Sequence, residues 1–190
     1  MIETFKIIEA IYYTLKKIEI ADTMKLLKLV YLADKYHLVR YGRTITKDDY
    51  YAMEYGPVGS TVKDVLNFNS ISLSNAEYKY AAHLLNKIYE VTFKVNESAK
   101  DAELEMLSET DKEAIDFVVE KFGNESQWEL SEYTHKYPEW YKHESLFKNK
   151  LTKRERIGTE ELLSLLENDP LAMPETHINV SRDILLGRHD

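Results

Sequence analysis

Apolar residues recur at helical spacing along residues 2–18, where Phe5, Ile8, Ile11, Tyr12 and Leu15 stand among Lys6, Glu9, Lys16 and Lys17. Steps of three and four residues gather the apolar side chains on one face, which predicts an amphipathic helix. Residues 24–41 predict a second helix of another kind. Leu26, Leu29, Val30, Ala33, Tyr36 and Leu38 leave only a narrow polar strip with Lys25, Lys28 and Lys35, so this helix belongs in the middle of the fold. Asp22 or Thr23 can cap it and Gly42 can stop it. The aromatic run at 49–55 predicts a short strand ending in a turn at Gly56-Pro57, with helix resuming from Val58 to Phe68. Residues 70–75 read as a loop and Ala76–Lys87 as a helix. Tyr89, Val91, Phe93 and Val95 alternate with Glu90, Thr92 and Lys94, the clearest strand pattern in the chain. Residues 50–55 are its expected partner.

Ser108 and Asp111 have the spacing of a capping box, and Ile115, Val118, Val119 and Phe122 continue it as a helix ending at Gly123-Asn124. Ser126 and Glu129 open another helix, which Pro138 stops or kinks. Thr159 is expected to cap a short helix, and periodicity is weak from Asn168 until Ile184-Leu185-Leu186. The expected fold is mainly α (α+β): one compact helical domain with a small β-sheet or hairpin and a C-terminal helix plus extended tail. Residues 1–157 form the helical domain in this reading. Residues 158–190 form the short helix and an acidic tail.

Charge adds a constraint. The chain has 25 basic and 33 acidic residues, a net charge of −8. Phosphate contacts need a basic surface, so direct nucleic-acid binding is not expected. The acidity is concentrated: residues 101–125 carry nine acids and two bases. Such a patch can face a basic partner. Cysteine is absent, which removes disulfides, cysteine zinc sites and cysteine nucleophiles. Residues 1–20 lack the pattern of a signal peptide, and no apolar run is long enough for a membrane span, so a cytoplasmic protein is expected.

Catalytic chemistry is sparse. There is no Walker loop, nucleophile elbow, HExxH pair or dinucleotide glycine fingerprint. His135, Glu139 and His143 stand at four-residue steps and could line one helix face, but Pro138 interrupts that helix, so no metal and no cofactor are expected. His37 reads as a hydrogen-bonded structural histidine. Tyrosine is abundant, with fourteen copies, and Tyr31, Tyr36, Tyr41, Tyr50, Tyr51 and Tyr55 cluster around the second helix.

Residues 25–38, KLLKLVYLADKYHL, followed by Gly42-Arg43 and then Glu54-Tyr55-Gly56-Pro57-Val58, resemble the SocA-like antitoxin family, or Panacea domain. Trp128-Glu129-Leu130-Ser131, Thr134-His135 and Trp140 match a second landmark of that family. The resemblance covers about residues 5–145. It weakens between the Y-G-P-V segment and Ser108, and has no counterpart after about residue 158.

The resemblance implies a non-enzymatic antitoxin of a bacterial or prophage toxin–antitoxin system that neutralises its toxin by direct contact. A protease adaptor that delivers the toxin to a cytosolic protease is the alternative, and a metal-dependent hydrolase the lesser one. The implied partner is a toxin, basic if it meets the acidic patches. Tyr50, Tyr51, Tyr55, Gly56 and Pro57 are the expected contact residues, with Glu109, Asp111 and Glu113 supporting them. In a strand Tyr51 and Tyr55 share one face and Tyr50 takes the other. Leu26, Leu29, Ala33 and Trp128 are expected in the core.

Overall fold

The computed structural model describes residues 2–188; Met1 and residues 189–190, the outer ends of the two expected segments, lie outside the described residues. Helix α1 (Ile2–Ile18) is followed by strand β1 (Ile20–Asp22) and helix α2 (Thr23–Tyr41). A hairpin of β2 (Tyr50–Met53) and β3 (Gly56–Gly59) leads into α3 (Ser60–Leu66) and α4 (Asn75–Leu84). Strands β4 (Leu85–Lys87) and β5 (Thr92–Val95) follow. Then come α5 (Glu109–Phe122), α6 (Gln127–His135), α7 (Pro138–Tyr141) and α8 (Glu144–Lys148). Strand β6 (Arg154–Ile157), a 3₁₀ turn (Thr159–Leu163) and α9 (Glu175–Leu185) complete the chain.

The axis of this α+β fold is α2, buried over nearly its whole length. Its first half packs Leu26, Leu27 and Val30 with Ile8, Ile11, Tyr12 and Leu15 of α1, and with residues of α3, α4 and β5. Its second half packs Leu32, Tyr36 and Val39 with Ile115 and Val118 of α5, Leu130 of α6 and Trp140 of α7. Each such aliphatic side chain removed from water contributes about 1.5–3 kcal/mol. The sequence marks the ends of α2 clearly. Asp22 accepts the Lys25 amide at 2.9 Å. Gly42 turns the chain at φ 68° and donates its N–H to Leu38 O.

Two small antiparallel sheets flank the helices, in the orders β1-β5-β4 and β3-β2-β6. This corrects the expected pairing of the 89–95 strand with residues 50–55. β5 instead pairs with β1 and β4, whose residues 85–87 were expected to be helical. β2 pairs with β3 and β6, Tyr50 opposite Gly59 and Ile157. The turn also differs: it consists of Glu54 and Tyr55, and Gly56-Pro57 begins the returning strand. Pro57 lacks an N–H and is tolerated there because β3 is an edge strand. Beyond Asn168, Glu175–Leu185 is helical and packs on α2. Ser181 Oγ donates to Val39 O at 2.8 Å, and His177 bonds Arg40 O at 2.8 Å.

Candidate functional site

The polar residues of α2 are not a solvated strip. Lys28, Asp34, Lys35 and His37 are all essentially inaccessible, and each is tied to a different segment. Lys28 Nζ donates to Pro57 O at 2.8 Å. Burial lowers its pKa to about 7. Asp34 accepts the Ile45 and Thr46 amides at 2.7 and 3.0 Å, the Tyr50 hydroxyl at 2.6 Å and the Thr46 hydroxyl. Burial raises its pKa to about 6 against the pull of those donors. Lys35 Nζ meets Glu139 Oε1 at 2.6 Å and donates to Leu162 O and Ser164 O, while Tyr31 donates to the same carboxylate oxygen at 2.5 Å. Burial lowers the Lys35 pKa, with the Glu139 carboxylate acting the other way. His37 bonds Arg43 O and Thr110 Oγ1 at 2.8 and 3.0 Å, the structural role expected of it. An unpaired buried charge costs several kcal/mol, so these partners are what allow lysine and aspartate inside a helix bundle.

The same economy fixes the β2–β3 hairpin. Trp140 Nε1 donates to Met53 O at 2.7 Å, Ser131 Oγ to Tyr55 O at 3.0 Å and Lys28 Nζ to Pro57 O. Three carbonyls around the turn are thus held from α7, α6 and α2. Gly56 sits at φ 105°, and a Cβ there would lie 2.8 Å from both Lys28 Nζ and Thr134 Oγ1. Only glycine meets both the conformation and the close approach.

What this rigid hairpin presents is Tyr55. This residue is 54% exposed, and its ring stands edge-on to that of Trp128 at 6.0 Å, itself a residue 56% exposed. The pair borders a cavity of about 860 Å³. Met24, Leu27, Val58 and Phe147 line its apolar part, Lys28 stands in its wall, and Lys63, Lys150 and Lys153 stand around it.

The family model for "Antitoxin SocA-like, Panacea domain" matches residues 26–141. The chain belongs to this family. No curated protein and no solved structure matches it.

Within the Panacea domain the motif residues serve two ends. Lys28, Tyr31, Asp34, Lys35, His37, Ser131 and Trp140 are bonded inside the fold, whereas Tyr55 and Trp128 face solvent. Trp128 therefore corrects the expectation that it is core; Leu26, Leu29 and Ala33 are buried as expected. Tyr50 is buried and bonded to Asp34, so it offers no surface. Tyr51 is half-buried with Arg154 over its ring at 4.9 Å. It does not share a face with Tyr55, which lies in the turn. Gly56 and Pro57 are buried supports.

The acidic residues divide the same way. Asp111 is fully buried, with Lys6 at 2.7 Å and Arg43 at 3.0 Å, and is withdrawn from any partner. Burial pushes its carboxyl up, but the bonds to Lys6 and Ser108 outweigh that and hold its pKa below the usual carboxylate range. Glu109 and Glu113 are exposed beside a second groove of about 450 Å³, which shares no lining residue with the first. Glu113 accepts from Tyr36 and Tyr41, and Glu109 pairs with Lys112.

His135 and Glu139 do not converge. His135 stacks on Trp140 at 3.6 Å, and Glu139 turns inward to Lys35. Burial and nearby Lys28 lower the His135 pKa to about 4. Among the described residues no three His, Asp or Glu side chains could hold a metal ion, and no helix is long and apolar enough to cross a membrane. Lys150 and Lys153 at the cavity are not marked by any motif. The signal for these two is the basic run Lys148–Arg156, where five of nine residues are Lys or Arg.

Proposed function

We propose that this Panacea protein is a binding module, not an enzyme: an antitoxin that neutralises its toxin by direct contact through the Tyr55–Trp128 face. One observation carries the reading. Two large aromatic residues are left more than half exposed at a cavity mouth: Trp128 on α6, and Tyr55 on a hairpin whose carbonyls are bonded from three helices. Rigid aromatic anchors lose little entropy on binding and dominate interface energetics. Within the buried polar network of α2, Lys28 holds the Pro57 carbonyl beside the Tyr55 turn.

The test is growth rescue in a bacterial host that expresses the protein encoded by the adjacent gene. Wild-type chain restores growth. Tyr55→Ala and Trp128→Ala each lose about 2 kcal/mol or more of binding, as interface hot spots do. Both variants keep the wild-type circular dichroism and unfolding midpoint, because the rings are exposed. Toxin half-life, followed in the same cells, stays unchanged on neutralisation and shortens if the chain acts as a protease adaptor. Full rescue by both variants would remove this face from the interface.

A further inference from the structure

The cavity's charge runs against the charge of the chain. The protein carries a net −8. Yet the mouth of the cavity is lined by the exposed or half-buried Lys63, Lys150 and Lys153 against Asp22 and Glu54 alone among acids, with Lys28 buried in the wall behind them. Asp22 also caps α2, accepting the Lys25 amide. Nearby Lys142 and Lys148 have carboxylate partners, Glu161 and Glu144. Lys63, Lys150 and Lys153 have none among the described residues; Lys63 Nζ approaches only Met53 Sδ at 3.8 Å. In the wall, Lys28 is buried and bonded to Pro57 O. The remaining walls are apolar, and Met24 and Met53 give them side chains that repack around different shapes.

We infer that this cavity seats an apolar peptide segment flanked by carboxylates: large side chains enter between Tyr55, Trp128 and Phe147, and acidic neighbours meet the lysines at the mouth. The inference rests on the Tyr55–Trp128 face being the binding face, and it names the chemistry of what binds there. The volume is that of a site for a compact ligand, within about 300–1,000 Å³. An acidic segment is repelled by most of this surface and drawn to its basic mouth, which sets both orientation and encounter rate. This reverses the basic partner suggested by bulk charge. Single-stranded nucleic acid also uses aromatics and lysines. The depth of apolar wall and the acidity of the whole chain favour the peptide. Lys150 and Lys153 lie beyond the family match at 26–141, whereas Tyr55 and Trp128 lie within it. The aromatic anchor thus belongs to the domain, and part of the charge selection is added by this chain's own following segment.

The experiment is panning of a phage-displayed random peptide library on the purified full chain, followed by titration of the enriched synthetic peptides. Peptides with Leu, Met, Phe or Trp beside Asp or Glu are enriched. Their affinity falls about tenfold or more in Trp128→Ala and in Lys150→Glu/Lys153→Glu, and falls with rising salt. All variant sites are exposed, and circular dichroism confirms the fold. No enrichment, enrichment of basic peptides, or indifference to lysine reversal overturns the inference. So does a labelled oligothymidylate that binds in preference and is lost in the same variants. The panning needs no toxin. Peptide binding without growth rescue removes the antitoxin reading alone, and growth rescue without a peptide preference removes this inference alone.

Discussion

The lysines of α2 show how far single residues can be read from pattern. Spacing marks Lys28 and Lys35 as polar positions on an apolar helix, and polarity on a helical wheel implies water. Their actual partners are carbonyls and a carboxylate contributed by segments 29 to 129 positions further along the chain, which no local pattern encodes. Glu139→Ala leaves the Lys35 ammonium buried with carbonyls and the Tyr137 ring, at 4.1 Å, as its company. Loss of one partner of a buried pair costs about 3–5 kcal/mol, to be read from the urea midpoint, whereas Lys35→Met/Glu139→Leu together cost less. Lys28 makes a second prediction. Its pKa falls from 10.5 to about 7 on folding, so between these values the unfolded chain binds more protons than the native one. Stability contributed by this group is therefore lowest below pH 7 and rises as pH climbs from there toward 10.5. His135, packed nearby, is already neutral in that window. Wild type gains about 2 kcal/mol on Lys28→Met between about pH 7 and 9, measured by urea unfolding of both at each pH. An equal pH response in the two proteins would show that Lys28 is not desolvated.

At the scale of elements, ends were easier to read than partners. Two capping boxes, Ser108–Asp111 and Ser126–Glu129, form as their spacing predicts, because both halves of each bond lie within four residues. A third, Ser74–Glu77, was hidden inside a serine-rich stretch that reads as loop. Strand pairing was not legible. Alternation identifies β5 but carries no address for its partner, and β6, Arg-Glu-Arg-Ile, is too charged to look like a strand at all. It forms because β2 offers an edge and Asp49 meets Arg156 at 2.8 Å. Gly42 joins two elements. It ends α2 at φ 68°, and a Cβ there would lie 2.6 Å from Ile184 Cβ and 2.9 Å from Ser181 O on α9. Gly42→Ala must bear a left-handed backbone at about 1–2 kcal/mol and also push α9 away. We expect a loss of more than 2 kcal/mol in chemical denaturation, about 2 kcal/mol being the most that backbone strain alone explains. A smaller loss would mean that α9 adjusts freely.

Across the whole molecule, the segment after residue 153 completes the core, and the charged mouth of the cavity ends where that segment begins. Ile157, Leu162, Leu163 and Leu171 are buried in the same cluster as Leu29, Tyr31 and Leu32 of α2. At about 1.5–3 kcal/mol each, four such side chains match the entire net stability of a typical domain, about 5–15 kcal/mol. The same segment supplies β6 to the central strand β2 and two carbonyls to buried Lys35. A chain ending at residue 153 therefore loses core, sheet edge and charge compensation together. It is expected to show no cooperative thermal transition and no binding at the Tyr55–Trp128 face, although every residue of the family match is present. A chain ending at residue 173 loses α9 and its bonds to Val39 and Arg40 but keeps those four core residues. It should unfold cooperatively at a lower midpoint and still bind. Cooperative unfolding of the shorter chain at the wild-type midpoint would instead make residues 2–153 self-sufficient, and the following segment an appendage.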